Sequence, residues 1–214
     1  MTREEAKVRI EEIGIIPGIR LGAAADAVFA AETLYQSGIP VVEITMTTPG
    51  AIGVIKQLAQ RYADIIVGAG TVLDSETARR CVDAGARFLT SPGLVPEVSG
   101  YALKSNILAI PGALTPTEVI AAWKAGADFV KIYPAAPMGG DQYIRSLKVP
   151  LPQVALIAAG GVNQQTAVNY IRAGATALGI GMELLPRDAV RRRQDQRIHE
   201  LARRFLGFVA EARA

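Results

Sequence analysis

The chain has 214 residues, half of them hydrophobic and 20% charged, which suits one folded domain of ordinary size and excludes a disordered chain. A single cysteine, Cys81, excludes an internal disulfide, and a single histidine, His199, excludes His-pair metal sites and argues against a Ser-His-Asp triad. The net charge of +3 is local: residues 187–214 carry eight Arg against four acids, unlike the basic and aromatic face of a nucleic-acid binder.

The first residues, MTREEAKVRIEEIG, lack the apolar core of a signal peptide, and no apolar run reaches the roughly 18 residues of a membrane span. A cytoplasmic protein is expected, with neither nucleic acid nor membrane as partner. Residues 2–12 read as an extra helix placed to cap a barrel bottom. From there, short β-branched runs alternate with amphipathic stretches. Strands are predicted at 14–19, 40–46, 65–68, 87–90, 107–110, 128–132, 154–158 and 176–179. Helices are predicted near 23–37, 50–62, 75–84, 95–103, 116–123, 140–147, 163–173 and 188–212.

Punctuation supports these boundaries. Ala-Gly-Ala stands at 84–86, 125–127 and 173–175, each time just before a strand, where glycine closes a helix. Asp74, Thr115 and Asn163 are N-cap candidates, and Thr115 to Glu118 has capping-box spacing. Strict βα alternation means a parallel sheet, and eight units in one domain spanning 1–214 point to an α/β fold of the closed (β/α)8, or TIM barrel, type. An open doubly wound sheet is the rival architecture, but it more often stops at five to seven strands. In the last helix Ile198, Leu201, Phe205 and Phe208 form an apolar stripe, and the arginines there read as a solvated face.

Reactive residues of such barrels project from the C-terminal strand ends. In the second strand, Val42, Ile44 and Met46 share one face, so Glu43 and Thr45 point into the barrel. In the sixth, Lys131 follows an apolar stretch, and a neutral amine placed there can attack a ketone to form a Schiff base. The two strands lie on opposite sides of the barrel, so Glu43 and Lys131 are placed to face one cavity. An acid/base and an amine across a small pocket suit carbon–carbon cleavage beside a ketone. A purely structural ion pair between them is the alternative. Gly160 and Gly161 after the seventh strand, and Gly181 after the eighth, occupy the usual phosphate position of these barrels, although tight turns alone also call for glycine. Gly68-Ala69-Gly70-Thr71 lacks the third glycine of a dinucleotide fingerprint and reads as a turn presenting Thr71.

Together these segments carry a family resemblance. Val42-Glu43-Ile44-Thr45, Val67-Gly68-Ala69-Gly70-Thr71-Val72, Ser91-Pro92, Ile110-Pro111-Gly112, Val130-Lys131-Ile132-Tyr133-Pro134 and Gly160-Gly161-Val162-Asn163 stand in the order seen in 2-keto-3-deoxy-6-phosphogluconate (KDPG) and 4-hydroxy-2-oxoglutarate (KHG) aldolases. The resemblance runs from about residue 15 to 185. It implies a homotrimeric class I aldolase on a (β/α)8 barrel that needs no metal or other cofactor and takes a 2-keto acid or pyruvate. Carried over, Lys131 would form the Schiff base, Glu43 would shuttle protons, and Thr71 and the segment at Pro92 would hold pyruvate. Thr47 stands where well-known members place an Arg for the pyruvate carboxylate, and Arg20, at the end of the first strand, matches the Arg of other members. Ala159 and Met182 replace hydroxyl residues of the phosphate site. An epimerase or decarboxylase barrel fits less well, for want of metal-binding His residues or an Asp-x-Lys-x-x-Asp motif. A degenerate barrel acting as a binding protein would not be expected to keep both Lys131 and Glu43.

Overall fold

The computed structural model describes residues 1–214. It opens on helix α1 (Arg3–Ile13), started by a reciprocal capping box between Thr2 and Glu5 and closed by Gly14 in the left-handed region. The strands are β1 (Ile15–Ile19), β2 (Val41–Thr45), β3 (Ile66–Gly70), β4 (Phe88–Thr90), β5 (Leu108–Ile110), β6 (Gly112–Ala113), β7 (Val130–Ile132), β8 (Leu156–Ala159) and β9 (Ala175–Ile180). The crossover helices are α2 (Ala24–Gln36), α3 (Ala51–Arg61), α4 (Ser75–Asp83), α5 (Pro96–Lys104), α6 (Pro116–Lys124), α7 (Asp141–Lys148) and α8 (Ala167–Arg172). The chain ends in α9 (Arg187–Arg191) and α10 (Asp195–Arg213).

All pairings are parallel, in the order β5-β4-β3-β2-β1-β9-β8-β7-β6. The two edge strands, β5 and β6, are consecutive in the chain and separated only by Pro111. Proline has no N–H for the ladder, which splits one strand position into two. The seam is still stitched: Asp128 N donates to the Ala109 carbonyl at 3.0 Å and Lys131 N donates to the Pro111 carbonyl at 2.9 Å. The result is the expected TIM-like barrel, nearly closed, with eight strand positions.

Inward and outward faces alternate as the sequence of β2 predicts. Val42 and Ile44 pack outward into the large core between the barrel and its helices. Ile16, Val41, Ile66, Phe88, Phe129 and Ile157 fill the interior, and Ala6 and Ile10 of α1 close it from below. Arg3 holds α1 there through a two-toothed grip on Asp128, with N–O distances of 2.8 and 3.1 Å. Val41 and Phe129 lie two residues before Glu43 and Lys131 on the same strand faces, so the candidate pair stands on an apolar floor.

Two predicted helix boundaries move. Asn163 does not cap a helix. Its side chain accepts from Gln165 N and Thr166 N in a local turn, and α8 starts only at Ala167. The predicted last helix is two, because Arg193 adopts φ 52° between α9 and α10. Asp74 and Thr115 cap α4 and α6 as expected. No helix is long and apolar enough to cross a membrane.

Candidate active site

Glu43 and Lys131 meet across the upper barrel. Lys131 Nζ lies 3.3 Å from Glu43 Oε2, and the two side chains are 17% and 9% exposed, respectively. The strand neighbours make this meeting possible. Glu43 is in register with Gly18 on one side and Gly68 on the other, so no neighbouring side chain crowds it. Lys131 is in register with Gly112, where a Cβ would collide with the Pro92 carbonyl and lie 2.6 Å from Gly93 N. Gly112 therefore admits the Ser91-Pro92-Gly93 segment to the mouth beside Lys131. That segment is itself tied by Ser91 Oγ donating to the Gly93 carbonyl at 2.6 Å.

Gly70, at the end of β3, does the same for the acid. A Cβ there would overlap Glu43 Oε1 and stand 2.5 Å from Thr90 Oγ1. Thr90 is buried, and its hydroxyl is the one buried side-chain polar atom without a hydrogen-bond partner. The spacing of the sequence gives no hint of this group. Its closeness to Glu43 arises from β3 and β4 lying side by side.

Three further predicted residues come together at the ends of β1, β2 and β3. Arg20 Nη1 donates to Thr47 Oγ1 at 2.6 Å, and its Nη2 reaches Thr71 Oγ1 at 3.5 Å. Beneath them Thr45 Oγ1 donates to the Ile19 carbonyl at 3.0 Å and lies 3.1 Å from Thr47 Oγ1. The guanidinium is thus held by neutral hydroxyls and forms no ion pair. Thr71 directly follows Gly70, which links this group to Glu43.

The glycine loops lie on another side of the mouth. Gly160 and Gly161 have φ of 82° and 93°. A Cβ on Gly160 would stand 2.9 Å from Pro134 Cα, and one on Gly161 would collide with Ala136. Packing alone therefore requires both glycines, whatever they bind. Tyr133, joined to Pro134, places its ring 5.8 Å from Lys131 Nζ and so connects this loop to the amine. Gly181 is exposed at the end of β9, Met182 beside it is also exposed, and Ala159 is buried.

A second lysine has unusual surroundings. Burial lowers the pKa of Lys148, but its amine donates to the Pro152 and Val154 carbonyls, both at 2.8 Å, ahead of β8 at the barrel's other end. It is committed to structure, whereas Lys131 faces the mouth.

The model of the family "KDPG and KHG aldolase" matches residues 6–201. The chain belongs to the KDPG/KHG aldolase family, a family of class I aldolases. The aldolase is 32% identical to the 2-dehydro-3-deoxy-phosphogluconate aldolase of Pseudoalteromonas atlantica, over 92% of this chain and 91% of that one. It is 31% identical to the KHG/KDPG aldolase of Escherichia coli, over 88% and 89%. A KDPG aldolase from Legionella pneumophila, solved with pyruvate captured as a covalent carbinolamine, superposes with a TM-score of 0.83. That structure is 31% identical to the aldolase and covers 92% of it, with 96% of its own chain matched. The family thus accounts for a pyruvate-using lyase on this barrel.

Proposed function

We propose that the protein cleaves a 2-keto-4-hydroxy acid into pyruvate and an aldehyde, with KDPG as the first substrate to test and glyceraldehyde 3-phosphate as the aldehyde it would release. The observation that carries the reading is the Lys131–Glu43 pair, 3.3 Å apart on an apolar floor and open to the barrel mouth. Lys131 passes a proton to Glu43 and its neutral Nζ attacks the C2 carbonyl; Glu43 then gives that proton to the carbinolamine hydroxyl, which leaves as water, so that a protonated imine and the Glu43 carboxylate remain. Glu43 takes the proton from the C4 hydroxyl as the C3–C4 bond breaks. The electron pair flows into C3 to form the enamine, and the aldehyde departs. A proton returned to C3 gives the pyruvate imine, and water then releases pyruvate and restores the amine. Arg20, steadied by Thr47 and Thr71, takes the substrate carboxylate, and the Pro92 segment walls the pyruvate pocket. Gly160, Gly161 and Gly181 face the far end of the substrate, and the working assembly is a homotrimer.

A second reading, an aldolase of unphosphorylated acids such as 4-hydroxy-2-oxoglutarate, draws support from Ala159 and Met182. Neither brings a hydroxyl to the glycine loops, and packing already explains Gly160 and Gly161. Incubation with pyruvate and borohydride, followed by mass mapping, tests the common chemistry. The expected adduct is on Lys131; an adduct on Lys148, or none, rejects the mechanism. The ratio of kcat/KM for KDPG to that for 4-hydroxy-2-oxoglutarate then separates the two substrates.

A further inference from the structure

Beside Arg20 the barrel mouth opens into a cavity of about 520 Å³ between the turn after β1 and helix α9. Arg20, Asp26, Thr47, Arg187 and Arg191 supply its polar lining. The charges in it do not cancel. Its one carboxylate, Asp26, is already taken by Arg193, with an N–O distance of 3.0 Å. Arg20 bonds only to threonine hydroxyls. Arg187 and Arg191 form no ion pair and no side-chain hydrogen bond, although nearby arginines do: Arg193 holds Asp26 and Arg197 holds Asp188.

Arg187 and Arg191 are four residues apart on one short helix, so they share a face. Like charges at this spacing oppose helix formation. Here they also converge with a third guanidinium on one concave space. Arginine pairs bidentately with carboxylate and phosphate, and a concave site focuses the field of its lining charges. The cavity shares Arg20 and Thr47 with the candidate site, and Arg20 in turn reaches Thr71, the residue after Gly70 beside Glu43.

We propose that Arg187 and Arg191 form an anion subsite for a carboxylate or phosphate on the aldehyde half of the substrate. This inference rests on the aldolase reading and deepens it: Arg20 takes the keto-acid carboxylate, and the pair on α9 takes the second anionic end. It also supplies what Ala159 and Met182 do not bring to the glycine loops.

The test runs the reaction in the direction of aldol addition. Pyruvate is combined with glyoxylate, with glyceraldehyde 3-phosphate, and with the neutral aldehydes glycolaldehyde and glyceraldehyde. The double variant Arg187→Gln/Arg191→Gln is compared with the native protein, and Arg192→Gln, an exposed arginine that does not line the cavity, is the control. In the double variant kcat/KM should fall about tenfold or more for an anionic aldehyde, the equivalent of 1.36 kcal/mol of lost transition-state stabilisation. Neutral aldehydes and the yield of the pyruvate–borohydride adduct should hold. A larger fall for glyoxylate marks a carboxylate subsite, and a larger fall for glyceraldehyde 3-phosphate marks a phosphate subsite. Equal changes for charged and neutral aldehydes, or none, overturn the subsite while leaving the aldolase reading intact. Failure of the native protein to form any pyruvate adduct overturns both.

Discussion

Replacing Thr90 by valine should make the protein more stable. The hydroxyl of Thr90 is buried at the end of β4 and has no hydrogen-bond partner. An orphaned buried hydroxyl costs roughly 1–3 kcal/mol, because it gives up water and gains nothing in return. Valine has nearly the same shape and the same preference for a strand, so Thr90→Val removes the penalty without opening a cavity. A gain of about 1 kcal/mol, at the low end of that range, should raise Tm by roughly 2–4 °C for a chain of this length. Thr90→Ser keeps the hydroxyl and deletes a buried methyl, and should lose about 1 kcal/mol. Thermal melts of the three proteins at one fixed concentration measure both shifts. The hydroxyl has a reason to persist: it shares the space above Gly70 with Glu43 Oε1. In the proposed reaction Lys131 leaves Glu43 for the imine, and the Thr90 hydroxyl would then be a polar group left beside that carboxylate. The valine variant should therefore melt higher and turn over more slowly. A lower Tm for Thr90→Val would refute the reasoning, since it would mean that the hydroxyl is satisfied in the folded protein.

Glu43→Gln should still form the pyruvate adduct but cleave about 10²–10⁴-fold more slowly, the usual loss on removing a general acid or base; unchanged turnover with only reduced stability would make the Lys131 pair structural. Gly70→Ala drives a Cβ into Glu43 Oε1 and Thr90 Oγ1, so kcat should drop while the circular dichroism spectrum stays native. Full activity in that variant would show that the carboxylate does not work from this position. Burial pushes the Cys81 thiol up to about 11, so at pH 8 it remains protonated and unreactive. Iodoacetamide should leave the folded protein unlabelled and modify Cys81 in urea, and rapid labelling of the native form would contradict the packing around it.

Local signals carried the barrel into the sequence because each strand and helix announces itself within a few residues. The apolar run of β2, interrupted by Glu43, shows the inward face by alternation alone, and the structure places Val42 and Ile44 outward as that alternation demands. The split at Pro111 is a matter of hydrogen bonding, since the strand position continues through the Pro111 carbonyl even though the ladder breaks. The break between α9 and α10 had no local sign: Arg193 takes a left-handed conformation with no glycine to mark it. The candidate site divides along the same line. Glu43 and Lys131 were legible because a charged residue in an apolar strand is out of place whatever surrounds it. Thr90 was not, because a threonine at a strand end is ordinary until the structure shows that nothing bonds its hydroxyl. Arg187 and Arg191 were hidden differently, as two among eight arginines in a segment that reads as a solvated face. Their shared helix face follows from a spacing of four, but the cavity they share with Arg20 joins residues more than 160 positions apart. What the sequence could not express is convergence: a charge becomes informative only when its neighbours in space fail to neutralise it.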